Sequence, residues 1–366
     1  MNATNNLLAD HLCELIDRQG PLSIADYMDI CLGHPDWGYY RRQDPLGRAG
    51  DFITAPEISQ MFGELIGLWC ADQWLRAGQK PGTQLVELGP GRGTLMADAL
   101  RAAALVPGFT ESTRVHFVET SPALRTEQAK RVTDASWHDH LDQVPPGPLL
   151  LIANEFFDAL PIRQFIRTDR GWCERHVTKS GAGRAAPTFT ITLGQDPVSP
   201  DLLPMAVRDA PKGSMAEICP AAENIIRDLA ARLRTDGGAA LIIDYGHTKS
   251  APGDTLQAVR NHKFADPFTD PGDADLTAHV DFAALVSAAL SEDARVDGPV
   301  TQRDFLIDLG VETRAETLRA KTPAAAAEID AALERLIGEA EMGTLFKVLA
   351  LTGSHEAPPA GFGKDS

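Results

Sequence analysis

The chain is short of cysteine, of positive charge and of long apolar runs, and each shortage removes a class of protein. Its five cysteines, Cys13, Cys31, Cys70, Cys173 and Cys219, are odd in number and contain no Cys-x-x-Cys pair. That excludes a disulfide framework and a paired-cysteine metal site, and fits reduced thiols in a reducing compartment. His138 and His140 lie close together, but their spacing matches no zinc pattern, so no metal is expected. No apolar run approaches the length of a membrane span, so no membrane partner is expected. Lys and Arg number 34 against 51 Asp and Glu, a formal charge of −17. Such a surface does not suit a sequence-independent grip on a phosphate backbone, which argues against nucleic acid and leaves a cationic protein as the better partner. The stretch Met1–Asp10 has neither the basic and apolar regions of a secretory signal nor the arginine-rich character of a mitochondrial transit peptide. The expectation is a cytoplasmic protein.

What the chain does have is 366 residues with 43% apolar content, enough to bury a real core in one large domain with additions or in two domains. From residue 84 onward, apolar runs alternate with helical periodicity. Strand 84–88 precedes a helix over 93–104, strand 114–119 a helix over 121–131, and a short edge strand over 135–137 comes before strand 149–153. This rhythm predicts a parallel sheet with helices on both faces, an α/β doubly wound, Rossmann-like class. Residues 162–195 change to short alternating runs, such as Trp172–Val177 and Thr188–Leu193, which read as an antiparallel insertion. Helix 220–234 and strand 239–244 restore the alternation. A long loop is expected over 246–280, and Phe346–Leu351 reads as a last strand. The expected organisation is an N-terminal helical addition with a lid loop over 1–80 and a ligand-binding α/β half over 81–161. An inserted segment over 162–215, the rest of the core with helical additions over 216–354 and a frayed tail over 355–366 follow. A helix over 59–77 carries an apolar stripe that suits core or a homodimer face equally.

The sharpest local signal is Leu85-Val86-Glu87-Leu88-Gly89-Pro90-Gly91-Arg92-Gly93-Thr94, an apolar strand ending in an acid, then three glycines at alternate positions, then a helix. A dinucleotide fold wants Gly-x-Gly-x-x-Gly, and Thr94 stands where the third small residue belongs, which disfavours a nicotinamide-dependent oxidoreductase. The pattern looks like the first motif of a class I S-adenosyl-L-methionine methyltransferase. That ligand carries a carboxylate, an ammonium, a ribose diol and an adenine. The glycine turn at a helix N-terminus can offer N–H groups to the carboxylate. Glu87 can attract the ammonium, and Glu119, closing the next strand, can accept both ribose hydroxyls. Trp137 and His138 follow the third strand, where adenine is held by stacking. The plain alternatives are a tight corner, a half-buried tryptophan and a solvated turn.

Asn154-Glu155-Phe156-Phe157-Asp158 follows the fourth strand, at the sheet edge that faces a bound ligand in this architecture. Asn154 and Glu155 are candidates to orient a methyl acceptor, with Asp158 a second carboxylate, while the two phenylalanines serve as pocket wall or as core. His279, or a carboxylate, is a candidate to take up the released proton. Thr54 and Pro56 lie in a loop just before the helix over 59–77, where Thr54 or Ser59 can cap it.

These segments together resemble the MidA family of class I methyltransferases. The resemblance runs in order through Gly50–Glu64, Glu87–Thr94, Asn154–Pro161, Ile243–Gly246, Asp275–Phe282 and Met342–Val348, nearly the whole chain. It implies S-adenosyl-L-methionine as cofactor and makes the loop holding Thr54 and Pro56 a lid over cofactor or acceptor. For the mitochondrial members, which assist assembly of respiratory complex I, it implies protein-arginine N-methylation. The implied partner is then a protein substrate such as a respiratory-complex subunit, and the competing reading is an assembly factor that binds cofactor and partner without turnover. One departure is plain: the two-glutamate hairpin of the better-known arginine methyltransferases is missing after the fourth strand, and Asn154 with its aromatic run is closer to amide and amine methyltransferases.

Overall fold

The structure is a computed structural model that describes residues 6–42, 54–180, 188–353 and 358–363. The chain forms two compact units, each assembled from three separated stretches. One comprises Met1–Phe52, Asp158–Glu223 and Lys249–Ala284, the other Ile53–Phe157, Asn224–Thr248 and Leu285–Ser366. The expected N-terminal addition therefore divides, its first helices going to one unit and the helix near residue 60 to the other.

The second unit is built on strands β1 (Thr83–Leu88), β2 (Thr113–Val118), β3 (Ala135–His138), β4 (Leu149–Asn154), β5 (Gly238–His247), β6 (Arg295–Thr301) and β7 (Phe346–Thr352). Their order across the sheet is β3-β2-β1-β4-β5-β7-β6. The first five run parallel, and β7 is antiparallel to both β5 and β6. Every residue of β1 and of β4 is buried, as continuous apolar runs demand in a parallel sheet covered on both faces. β3 is the edge strand that the sequence suggests, and it is only half-buried.

Three helices of this unit position the site: α1 (Gln60–Arg76), α2 (Thr94–Ala103) and α3 (Pro122–Arg131). Ser59, not Thr54, caps α1, its hydroxyl accepting from Met61 N at 3.2 Å. Twelve of the seventeen residues of α1 are buried, because the helix packs on α2 as well as against β4 and β5. The stripe that equally suited a dimer face is thus largely core of this unit, and Leu68 and Leu75 are what it leaves exposed. Gly63 and Gly67 set the α1–α2 approach. A Cβ on Gly63 would stand 2.7 Å from Asp98 Cβ, and one on Gly67 would run into the Ala99 backbone.

The first unit holds helices Leu7–Gln19 and Ile24–Gly33, the second opened by a reciprocal capping box between Ser23 and Asp26. They accompany an antiparallel sheet of five strands, Leu22–Ser23, Gly171–Ser180, Arg163–Thr168, Met215–Ile218 and Thr188–Leu193. The long loop expected over 246–280 is corrected. Strands Gln257–Arg260, Lys263–Ala265 and Asp275–Thr277 form a small antiparallel sheet there. Strands of three or four residues are too short to show a period. The hairpin turn is Asn261-His262, both with positive φ (51° and 60°), so it lacks the Asn-Gly signature that normally betrays such a turn. Among the described residues no helix is long and apolar enough to cross a membrane.

The α1–α2 contact yields a first test. Gly67→Val forces branched bulk into a backbone-to-backbone approach and should lower unfolding free energy by about 1–3 kcal/mol, the usual cost of overpacking. Urea denaturation reads this as an earlier midpoint with an unchanged slope, and an unaltered midpoint would mean that the helices can separate freely.

Candidate active site

β1 and β4 lie side by side, Leu88 opposite Ala153, while β2 continues on the far side of β1 and β5 on the far side of β4. The strand order reverses between β1 and β4, so the loops leaving their carboxyl ends diverge and open a crevice. The loop after β1 is the glycine turn. Gly89, Gly91 and Gly93 have φ of 57°, 52° and 78°, a left-handed backbone that side chains with a Cβ resist. Gly93 serves as N-cap of α2, so the helix presents its free N–H groups at the crevice. A Cβ on Gly89 would meet the Phe156 ring at 2.9 Å, bringing the β1 and β4 loops into direct contact. The Thr94 hydroxyl donates to Glu57 Oε1 at 2.5 Å.

Two acids flank the turn. Glu87, at the end of β1, is 3% exposed, and its Oε2 has no hydrogen-bond partner among the described residues. Burial alone pushes its carboxyl well above the usual range. Glu119 follows β2 and is also buried. Its Oε1 accepts from Ser121 N at 2.7 Å and its Oε2 from Gln128 Nε2 at 3.3 Å. Burial raises this carboxyl too, opposed by these N–H donors. A carboxylate offers about four lone-pair sites on its two oxygens, the kind of acceptor a cis-diol requires. At the end of β3, Trp137 donates its indole N–H to Gln128 Oε1 at 2.8 Å, and His138 Nε2 pairs with His116 Nδ1 at 2.9 Å.

Beyond β4, Asn154 is 8% exposed and its Oδ1 has no partner among the described residues. Glu155 adopts φ 50°, a strained region for a residue with a long side chain. Its Oε1 accepts from Asn154 Nδ2 and from Ala55 N, both at 3.2 Å. The short helix Ala55–Ile58 is therefore tethered to the β4 loop by Glu155 and to α2 by Glu57 and Thr94. Thr54 occupies its N-cap position without a side-chain cap bond, and Pro56 lies in its first turn. Residues 50–53 of that loop lie outside the described residues. The backbone N–H groups of Phe156 and Phe157 donate to Asp244 Oδ2 at 3.2 and 2.9 Å, so a fully buried acid on β5 fixes the course of the β4 loop.

The second unit thus holds Glu87, the three glycines, Thr94, Glu119, Trp137, His138, Thr54, Pro56, Asn154 and Glu155. Asp158 and His279 belong to the first unit. There, Asp158 O accepts from Ala278 N at 2.9 Å, and His279 N donates to Thr255 Oγ1 at 3.0 Å. Sequence reasoning gave no site role to Gln128 or Asp244. The signal for Asp244 was an acid directly after Leu241-Ile242-Ile243, and for Gln128 a polar residue one turn beyond Leu124 on the buried face of α3.

These residues fit S-adenosyl-L-methionine. A buried, unpartnered carboxylate suits an ammonium, left-handed glycines at a helix start suit a carboxylate, and Glu119 suits a ribose diol. Comparison with known proteins agrees. Residues 65–300 match a family model described as an S-adenosyl-L-methionine-dependent methyltransferase. A crystal structure from Burkholderia thailandensis bound to S-adenosyl-homocysteine superposes with a TM-score of 0.87 at 29% identity, covering 98% of this chain and 95% of its own. The zebrafish (Danio rerio) protein arginine methyltransferase NDUFAF7, a mitochondrial protein, is 37% identical over 376 residues, covering 96% of this chain and 88% of its own. The human counterpart is 36% identical over 369 residues, covering 93% and 82%.

The chain belongs to the MidA family of S-adenosyl-L-methionine-dependent methyltransferases. The family membership makes it an enzyme with S-adenosyl-L-methionine as cofactor. It also corrects the compartment, because these relatives bear the name of a mitochondrial protein and the cytoplasmic expectation falls. Acidity and reduced thiols do not distinguish one reducing compartment from another, and the terminal stretch used for that expectation lies partly outside the described residues.

Two outcomes test this site. Gly91→Val places a branched side chain at φ 52°, where strain of about 1–3 kcal/mol is expected. S-adenosyl-homocysteine affinity should fall by about 10- to 100-fold or more, and calorimetry with unchanged affinity would remove the turn from the cofactor site. For Glu87, a folded carboxyl raised above its unfolded value of 4.5 binds more protons folded than unfolded, so stability falls as pH rises from that value upward. Denaturation of the ligand-free protein from about pH 5 to pH 8 should show wild type losing stability relative to Glu87→Gln. The variant should also bind cofactor more weakly.

Proposed function

We propose that this enzyme transfers a methyl group to an arginine side chain of a protein substrate. The observation that carries the reading is the end of β4, where Asn154 Oδ1, without a partner among the described residues, adjoins a strained Glu155 across from the glycine turn. The zebrafish and human relatives bear the name of protein arginine methyltransferases, which favours a guanidinium over the amide and amine acceptors that an Asn-aromatic run also suits. A respiratory-complex subunit is the substrate class that the family resemblance suggests.

The bound cofactor supplies a methyl carbon attached to a sulfonium. Methyl transfer is an in-line displacement, so most of what the chain contributes is alignment of the acceptor nitrogen. A guanidinium is charged at any physiological pH and offers a planar fork of donors. A carboxylate holds such a fork through charge-assisted bonds and leaves one nitrogen directed at the methyl. Glu155 is assigned that role, and Asn154 Oδ1 accepts from the same group. The proton released as the nitrogen is alkylated passes to a carboxylate, for which Glu155 is the candidate. The strain at Glu155 supports a functional role, since backbone held in sparse regions concentrates at working sites.

The deciding experiment offers labelled S-adenosyl-L-methionine to a lysate of cells lacking this protein and maps the modified residue by mass. A labelled arginine supports the reading, another labelled nitrogen moves the acceptor, and no label favours a partner-binding factor without turnover. Glu155→Ala should keep cofactor affinity within about threefold, because the residue lies on the acceptor side, and lose transfer by about 100-fold or more. Undiminished turnover on the mapped substrate would remove Glu155 from the mechanism.

A further inference from the structure

We propose that Gln128 is the positioning residue of the cofactor site, one buried amide that holds the glycine turn, the ribose-side acid and the adenine-side tryptophan in register. Gln128 is fully buried on α3, a helix whose other buried residue is Leu124, one turn earlier on the same face. A leucine would satisfy packing there as well. The amide instead spends its polar atoms on three groups of the crevice. Nε2 donates to Gly91 O at 2.7 Å and to Glu119 Oε2 at 3.3 Å, and Oε1 accepts from Trp137 Nε1 at 2.8 Å. An indole N–H can only donate, which fixes the amide with its oxygen toward Trp137 and its nitrogen toward the two acceptors. The side chain also touches the turn directly, since a Cβ on Gly93 would lie 3.4 Å from both Cα and Cγ of Gln128. A donor set this complete at one core position ties β1, β2 and β3 together at their ligand-facing ends.

The chemistry explains why the residue is neither leucine nor glutamate. Leucine would deprive Gly91 O, Trp137 N–H and a buried Glu119 oxygen of that partner. A carboxylate would face Glu119, whose own carboxyl burial already pushes upward and which the Gln128 N–H helps to keep ionised. The other charged groups nearby are committed elsewhere. Arg125 donates to Glu119 O and to Asp139 Oδ1, and His138 pairs with His116. The proposal concerns the cofactor and stands whichever nitrogen receives the methyl group.

The test uses the full chain, S-adenosyl-homocysteine as probe and calorimetry as readout. Gln128→Leu should fold, because it preserves packing volume, and should bind the probe about 10- to 100-fold more weakly, the loss expected for several disrupted buried hydrogen bonds. Gln128→Glu should bind poorly near pH 8 and recover as pH falls toward about 5.5, where a proton on the introduced carboxylate restores a donor toward Glu119 or Gly91 O. Wild type and Gln128→Leu should lack that recovery. A packing residue alone would give Gln128→Leu wild-type affinity, or Gln128→Glu the same deficit at every pH, and either result overturns the proposal. Should Gln128→Glu fail to fold, the affinity of Gln128→Leu decides.

Discussion

The reversal of strand order between β1 and β4 is the constraint on which the rest of the second unit depends. A parallel sheet covered on both faces leaves its backbone no freedom within the strands, because every N–H and C=O is committed to the ladder. Freedom returns only where the strands end, and the reversal makes two adjacent loops diverge there. Glu87, the glycine turn, Asn154 and Glu155 all occur within a few residues of those two strand ends. The glycines follow from the same geometry. A chain leaving β1 must turn sharply enough to start α2 while Phe156 from the β4 loop closes over it at 2.9 Å from a would-be Gly89 Cβ. Only a residue without a side chain can adopt φ of 57° in that space.

Divergent loops need bracing, and polar side chains provide it here. Asp244 on β5 gathers the N–H groups of Phe156 and Phe157, Glu155 holds the start of the Ala55–Ile58 helix, and Thr94 holds Glu57 of that helix. Gln128 does the same for the cofactor side. Most of these bonds join residues far apart in sequence, so the crevice is shaped largely by long-range bonds while α1 and α2 pack closely through the Gly63–Gly67 contact. Buried polar groups that are fully satisfied specify a unique arrangement, whereas apolar packing alone tolerates several.

This division explains what could be read from the sequence. The core strands were legible because burial on both faces writes a continuous apolar run, and the glycine turn because its backbone demand falls on consecutive residues. The family segments added the cofactor. Gln128 was illegible because a glutamine on a polar helix looks solvated until β3 is known to bring Trp137 beside it. Asp244 was visible only as an acid closing an apolar run and within a family segment, since its partners lie nearly ninety positions earlier. The sheet near residue 260 was missed because its strands are shorter than any period and its turn is Asn261-His262. The compartment was misread for a different reason: a cell address is not encoded in the packing of the fold.

The places where local rules fail carry the functional argument. Several left-handed residues with side chains, such as Asn261, His262 and Asp293, lie in turns, where the cost is ordinary. Glu155 is different, standing directly after a fully buried strand. Asn154 beside it and Glu87 on the neighbouring strand each hold a buried oxygen without a partner among the described residues. Strain at one residue and unmet hydrogen-bonding capacity at two others, all at adjacent strand ends, weaken the ligand-free protein and cannot be explained by folding. An ammonium and a donor-bearing acceptor arriving there would meet that demand, which is how a site keeps binding energy in reserve for its ligands. The well-braced glycine turn and the unmet polar atoms of Glu87 and Asn154 are complementary, rigidity in the backbone and unmet demand in the side chains beside it.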